Sequence, residues 1–225
     1  MSVTSGGSNF EGIFFDLDGT LADTAPDLAA AANKLRLDRN LEPIPFELLR
    51  PAASSGARGL LAVAFGITPD DNNFIELRDE FLNNYQNALH VHSYLFEGVE
   101  QLLNRLEQHN IPWGIVTNKV ERFTNPFVKS IGLDKGAAAV VSGDTTPTPK
   151  PHPAPILLAS SLAKVLPENS LYVGDDLRDI VAGRAAGMKT VAASYGYCGN
   201  EDPPEAWGAD YLINTPSELI NIIFP

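Results

Sequence analysis

The chain has 225 residues, 44 % of them hydrophobic and 20 % charged, which excludes wholesale disorder and leaves enough apolar material for a substantial core. Lys and Arg total 16 against 28 Asp and Glu, a formal net charge of −12. That surface repels nucleic-acid phosphates and anionic lipid, and no basic patch offsets it, so neither nucleic acid nor membrane is expected as a partner.

The opening segment, MSVTSGGSNF, has neither a basic n-region nor an apolar h-region, so no secretory signal is expected and residues 1–9 read as a flexible leader. Phe10–Asp16 (FEGIFFD) reads as a buried strand running into Asp-Gly. From Ala22 to His92 nearly everything reads as helix and no convincing strand appears. Ala25–Leu37 opens with Pro near its first turn, and Gly59–Phe65 and Asn72–Leu89 follow at helical spacing. Beyond, helices at Val99–Gln108, Arg122–Ser130, Pro155–Ala163 and Asp179–Ala186 alternate with short apolar runs. Those runs are Ile111–Thr117, Ala137–Ser142, Leu171–Val173, Thr190–Ala193 and Tyr211–Ile213, each bounded by turn residues. No apolar run approaches the ~18 residues of a membrane span. The single cysteine, Cys198, excludes an internal disulfide framework and fits a reducing, cytoplasmic setting.

This alternation predicts an α/β fold, a Rossmann-like doubly wound parallel sheet covered on both faces. Residues 10–21 and 93–225 form its core, and residues 22–92 a helical subdomain inserted after the first strand. One continuous domain with a long crossover is the alternative.

Ligands of such a sheet sit at the carboxyl ends of its strands. Asp16, Asp18, Gly19 and Thr20 fall there after the first strand, Thr117 and Asn118 after the second, and Asp175, Asp176 and Asp179 after another. Lys150 stands before Pro151 at a helix start. Two like charges about 4 Å apart repel by ~1 kcal/mol in water and ~4 kcal/mol at an effective dielectric of about 20, so the cluster needs a cation. An oxygen-only ligand set points to Mg²⁺, with Asp16 and Asp175 as candidate direct ligands. A magnesium ion, a lysine and a hydroxyl around a carboxylate suit phosphoryl transfer, in which a carboxylate can itself be the nucleophile. A second Asp two residues on can protonate the leaving oxygen and then activate water. Gly19 permits a tight turn whose main-chain N–H groups can meet phosphate oxygens.

The segments FFDLDGTLADT, VTNK, KPHP and VGDDLRDI, in that order, resemble the motifs of the haloacid dehalogenase superfamily of phosphatases, from Phe10 onward. The resemblance implies Asp16 as nucleophile, Asp18 as acid and base with its backbone carbonyl on the metal, and Asp175 as a further metal ligand. It implies Thr117 and Asn118 on the phosphoryl oxygens, Lys150 between phosphate and nucleophile, and Asp176 and Asp179 behind the metal, orienting its water. The inserted helices resemble that superfamily's small cap, with hinges near Asp23 and His92. DLDGTLADTAPDL and the GDD…RDI…GRAAGM…YGY series resemble the phosphoglycolate phosphatase branch. With WGIVTNK and YGYCGNEDPPEAWGAD they resemble its offshoot acting on N-acetylmuramic acid 6-phosphate. The implied substrate is a small phosphate ester bearing a carboxylate, and the implied assembly a monomer or homodimer.

Arg58, in SSGARG of the inserted segment, reads either as a guanidinium facing the substrate carboxylate or as an exposed helix-start arginine. Lys34 sits on an ordinary helix and does not suit a Schiff base. His90, His92 and His152 read as surface residues, Cys198 as an unreactive loop thiol, Trp113 as core and Trp207 as a packed loop residue. A phosphomutase or another sugar-phosphate phosphatase of the same superfamily is an alternative. A receiver-type phosphate acceptor and a catalytically silent protein of the same fold remain as other classes. Stable autophosphorylation would mark the former, and failure to hydrolyse any phosphate ester the latter.

Overall fold

The structure is a computed structural model that describes residues 8–199 and 202–225. Residues 1–7 of the expected leader lie outside the described residues.

Strand β1 (Gly12–Phe15) is fully buried. Its side chains alternate between faces, as a period of two requires. Ile13 and Phe15 join one apolar cluster, while Phe14 joins another on the opposite side. Around β1 lie β4 (Trp113–Val116), β5 (Ala139–Val141), β6 (Ser170–Gly174), β7 (Lys189–Ala193) and β8 (Tyr211–Ile213). They form one parallel sheet in the order β5-β4-β1-β6-β7-β8. Ile13 pairs with Trp113 on one side of β1 and with Leu171 on the other, so β4, β1 and β6 end at neighbouring points. Strand order reverses here, and such a switch point opens a crevice at the strand ends.

Helices α5 (Val99–Gln108), α6 (Glu121–Ser130), α7 (Ala154–Ala163), α8 (Leu177–Ala185) and α9 (Glu218–Ile223) cover the two faces. On α5 the buried residues are Val99, Leu102, Leu103 and Leu106, the i, i+3, i+4, i+7 stripe of an amphipathic helix. Trp113 packs in the main cluster and Trp207 against Ile180 and Ala192.

Between β1 and β4 the chain builds α1 (Ala25–Leu37), α2 (Phe46–Leu49), a 3-10 turn (Arg50–Ser55), α3 (Gly56–Phe65) and α4 (Phe74–Asn87). These elements share an apolar cluster of their own, with Leu28, Leu35, Leu61, Phe81 and Tyr85 at its centre. Phe123 and Tyr197 join that cluster from the sheet side.

The expectation of a strand-free stretch fails at its edge. Ala22–Asp23 (β2) pairs antiparallel with Tyr94–Leu95 (β3), a two-residue ribbon where the helical segment leaves and rejoins the sheet. Two residues are too few to show a period, so sequence patterning cannot register such strands. Among the described residues, no helix is long and apolar enough to cross a membrane.

Candidate active site

Asp16 follows β1 directly, Thr117 follows β4 and Asp175 follows β6, so three adjacent strands each deliver one polar side chain to the same end of the sheet. Lys150 reaches them from the loop before α7. All four line a cavity of about 310 Å³, together with Asp18, Asn118, Asp176 and Asp179.

Lys150 is buried, and its ammonium lies 2.9 Å from Asp16 Oδ1 and 2.7 Å from Asp179 Oδ1. It also donates to the Val116 carbonyl at 2.8 Å and lies 3.0 Å from the Tyr172 hydroxyl. Burial disfavours its charge, but Asp16 and Asp179 outweigh burial and hold its pKa well above the ordinary lysine value. Asp16 Oδ1 accepts the Leu17 N–H as well, at 2.8 Å. Asp175 is fixed by Thr20 Oγ1 and the Tyr197 N–H, each donating at 2.8 Å.

Asp16, Asp175 and Asp179 bring one carboxylate oxygen each to within 4.8 Å of one another. Burial pushes the Asp175 carboxyl well above the usual range, and the charges of Asp16 and Asp179 push it further. Burial likewise raises Asp179, to about 7, with Lys150 pulling down and Asp16 pushing up. Were all three ionised, they would leave two net negative charges beside the one ammonium in a buried pocket. A divalent cation with a preference for oxygen ligands fits that residue set.

Asp18 points elsewhere. Its Oδ1 accepts from Lys119 Nζ at 2.6 Å and from Thr24 Oγ1. The acid expected to meet the leaving group therefore sits beside the metal-fitting cluster, apart from the triad of carboxylates.

Several expectations change in detail. Asp179 brings one oxygen to the carboxylate triad, with its Oδ1 on the Lys150 ammonium and its Oδ2 on the Asp176 N–H. Asp176 lines the cavity while capping α8, its Oδ1 accepting the Arg178 N–H at 2.9 Å and its own N–H donating to Asp179 Oδ2 at 3.1 Å. Burial works against Asp176 ionising, but the Arg178 guanidinium holds its carboxyl below the usual range. Asn118 uses both ends of its side-chain amide on the Lys150 backbone, donating at 2.9 Å and accepting at 3.0 Å, so that side chain fixes the lysine loop.

Gly19 also serves differently from expectation. Its N–H is occupied by the Ala22 carbonyl at 2.9 Å. Its φ is +86°, and a Cβ there would stand 2.1 Å from Asp175 Oδ2, so only glycine leaves room for that carboxylate. Arg58 is exposed on α3 and is not among the residues lining the cavity. The first residues of α3 that do line it are Gly56 and Ala57, which turns Arg58 outward.

Two cations that line the cavity were missed as site residues, Lys119 and Arg178. Both stand inside quoted motifs, VTNK and VGDDLRDI, and position directly after a strand end was the available signal. Arg178 grips Asp176 through Nε and Nη2, each at 2.7 Å, and donates from Nη2 to the Ser54 carbonyl of the helical segment at 2.7 Å. His90, His92 and His152 are exposed. Burial pushes the Cys198 thiol up to about 11, as suits an unreactive residue.

With this geometry, the chain belongs to the haloacid dehalogenase-like hydrolase family, whose pattern it matches over residues 13–193. It is an enzyme of that family. It is 44 % identical to the N-acetylmuramic acid 6-phosphate phosphatase of Pseudomonas putida over 94 % of this chain and 95 % of that one. It is equally 44 % identical to the phosphoglycolate phosphatase of Xanthomonas campestris pv. campestris, over 92 % of this chain and 93 % of the other. A crystal structure of a predicted phosphoglycolate phosphatase from Haemophilus somnus superposes with a TM-score of 0.84 at 28 % identity, covering 96 % of this chain and 98 % of that one.

Proposed function

We propose that the protein is a Mg²⁺-dependent phosphomonoester hydrolase that works through an aspartyl-phosphate on Asp16, and that its substrate is N-acetylmuramic acid 6-phosphate or a close analogue. The supporting observation is the convergence of Asp16, Thr117, Lys150 and Asp175 on one buried cavity roofed by the helical segment.

Asp16, Asp175 and the backbone carbonyl of Asp18 would hold the metal, with Asp179 close behind or beside them. Bound there, it supplies positive charge to the phosphoryl oxygens. Lys150 keeps its ammonium against Asp16 and adds the second cation. One oxygen of Asp16 is tethered by Leu17 and Lys150, which leaves the other to attack phosphorus while the ester oxygen departs. Asp18 gives that oxygen a proton, then takes one from the water that cleaves the acyl phosphate and restores Asp16. Thr117 Oγ1 already accepts the Lys119 N–H at 3.1 Å, so its own proton is available to a phosphoryl oxygen.

The helices of residues 22–92 form the cap in this reading, and residues 10–21 and 93–225 the core. Leu28, Phe81, Leu82 and Tyr85 of the cap and Phe123 of the core give the cavity an apolar wall. A two-carbon leaving group would leave that wall uncovered, whereas a pyranose ring covers it. The test compares kcat/KM for N-acetylmuramic acid 6-phosphate, 2-phosphoglycolate and hexose 6-phosphates with Mg²⁺. The reading expects the first to lead by at least about tenfold. A lead for 2-phosphoglycolate would overturn the substrate, and turnover of none would overturn the enzyme class.

A further inference from the structure

Three cations line the cavity, and they differ in what already holds them. Lys150 is surrounded by Asp16, Asp179, the Val116 carbonyl and the Tyr172 hydroxyl. Arg178 is held by Asp176 and the Ser54 carbonyl. Lys119 is different. Its side chain is only 7 % exposed, yet its ammonium makes one hydrogen bond, to Asp18 Oδ1. An ammonium carries three N–H donors, and among the described residues Asp18 is the one acceptor in regular hydrogen-bond geometry. Around them lie ring faces instead, Tyr85 at 4.9 Å and Phe127 at 5.7 Å from the centroids. The Tyr85 hydroxyl, on the same wall, is buried, makes no hydrogen bond of regular geometry among the described residues, and lies close enough to the ammonium to favour its charge.

A buried charge with unfilled donors is costly unless a ligand completes it. The lone partner here is a carboxylate, so the position accepts that group sterically and electrically. That partner is also the residue that, in the reading above, must meet the leaving oxygen.

Building on that proposed function, we infer that Lys119 is a specificity-determining residue that receives the carboxylate of the substrate's leaving group, taking over the role considered for Arg58. The substrate carboxylate fills the donors that Asp18 leaves open and draws the ammonium from Asp18, whose Oδ1 then turns to the ester oxygen. A phosphate ester without a carboxylate leaves the Lys119–Asp18 pair intact and is a poorer substrate.

N-acetylmuramic acid 6-phosphate and N-acetylglucosamine 6-phosphate differ only by the lactyl ether that carries the carboxylate, so they form a matched pair. With the intact protein and Mg²⁺, Lys119→Met should lower kcat/KM for the former on the order of 100-fold, chiefly through KM. The latter should fall at least about tenfold less, so that the wild-type preference collapses. Lys119→Arg should restore part of that preference. Equal losses on both substrates would overturn the inference and leave Lys119 as a positioning residue for Asp18 alone. A second measurement needs no variant: inhibition of wild-type p-nitrophenyl phosphate hydrolysis by N-acetylmuramic acid against its methyl ester. The free acid should bind at least about tenfold more tightly, and equal inhibition would overturn the assignment. Absence of any wild-type hydrolysis would instead mark failure of the phosphatase reading.

Discussion

The chemistry rests on a few side chains whose surroundings leave little freedom. Asp16→Asn keeps the shape but removes the charge that the proposed mechanism assigns to the nucleophile, so kcat should fall by ~10⁴-fold or more with an unchanged circular-dichroism spectrum. Gly19→Ala tests a different constraint. The added methyl would overlap Asp175 Oδ2 and the φ of +86° disfavours any Cβ, so urea unfolding should show a loss of ~1–3 kcal/mol together with weakened metal binding. Asp16, Asp18, Thr117, Lys150 and Asp175 were legible in the sequence because each falls in a motif at a strand end or a helix start. The contacts that Asn118, Asp179 and Arg58 make were not legible there, for a common reason. What a side chain touches depends on partners distant in the chain, such as Lys150, 32 residues beyond Asn118.

Among elements, the junction between the helical segment and the sheet carries the most information that patterning missed. Asp27, buried on α1, accepts the N–H groups of Val91, His92 and Ser93 and the Ser93 hydroxyl, pinning the returning chain to the first helix of the inserted segment. Asp27→Ala would leave these amides buried without a partner, and chemical denaturation should show a loss of about 2–4 kcal/mol. A hinge near His92 was expected from the sequence, but Asp27 was not singled out, because the amides it holds lie 64 to 66 residues further along the chain. The long helices were legible for the opposite reason: α1 buries Ala25, Leu28, Ala29, Ala32 and Leu35, a local period that needs no partner to be seen.

At the scale of the whole molecule, stability should respond to metal and pH together. In the metal-free protein, Asp179 holds its proton up to about 7, against ~3.9 for an unfolded Asp, and Asp175 is raised in the same direction. The folded state therefore binds more protons than the unfolded one between these values. This contribution to stability is complete below ~4 and is lost as pH rises through about 7. Metal-free protein should gain stability from pH 8 to about pH 5.5 by a few kcal/mol at most, and Asp179→Asn should flatten that slope. Saturating Mg²⁺ should flatten it too, because the cation binds the ionised carboxylates. Thermal unfolding across that range, with and without the metal, checks all three.

Central to the proposed mechanism is transfer of the phosphoryl group to Asp16. Asp18→Asn protein, given p-nitrophenyl phosphate and Mg²⁺ and quenched in acid, isolates that event. Nitrophenolate leaves without a proton, while the second step lacks its base. Tandem mass spectrometry of the digested protein should find phosphate on the peptide bearing Asp16, at that residue, in near-stoichiometric yield. Release of nitrophenolate with no phosphoryl group on the protein, or with the group on another residue, would contradict it.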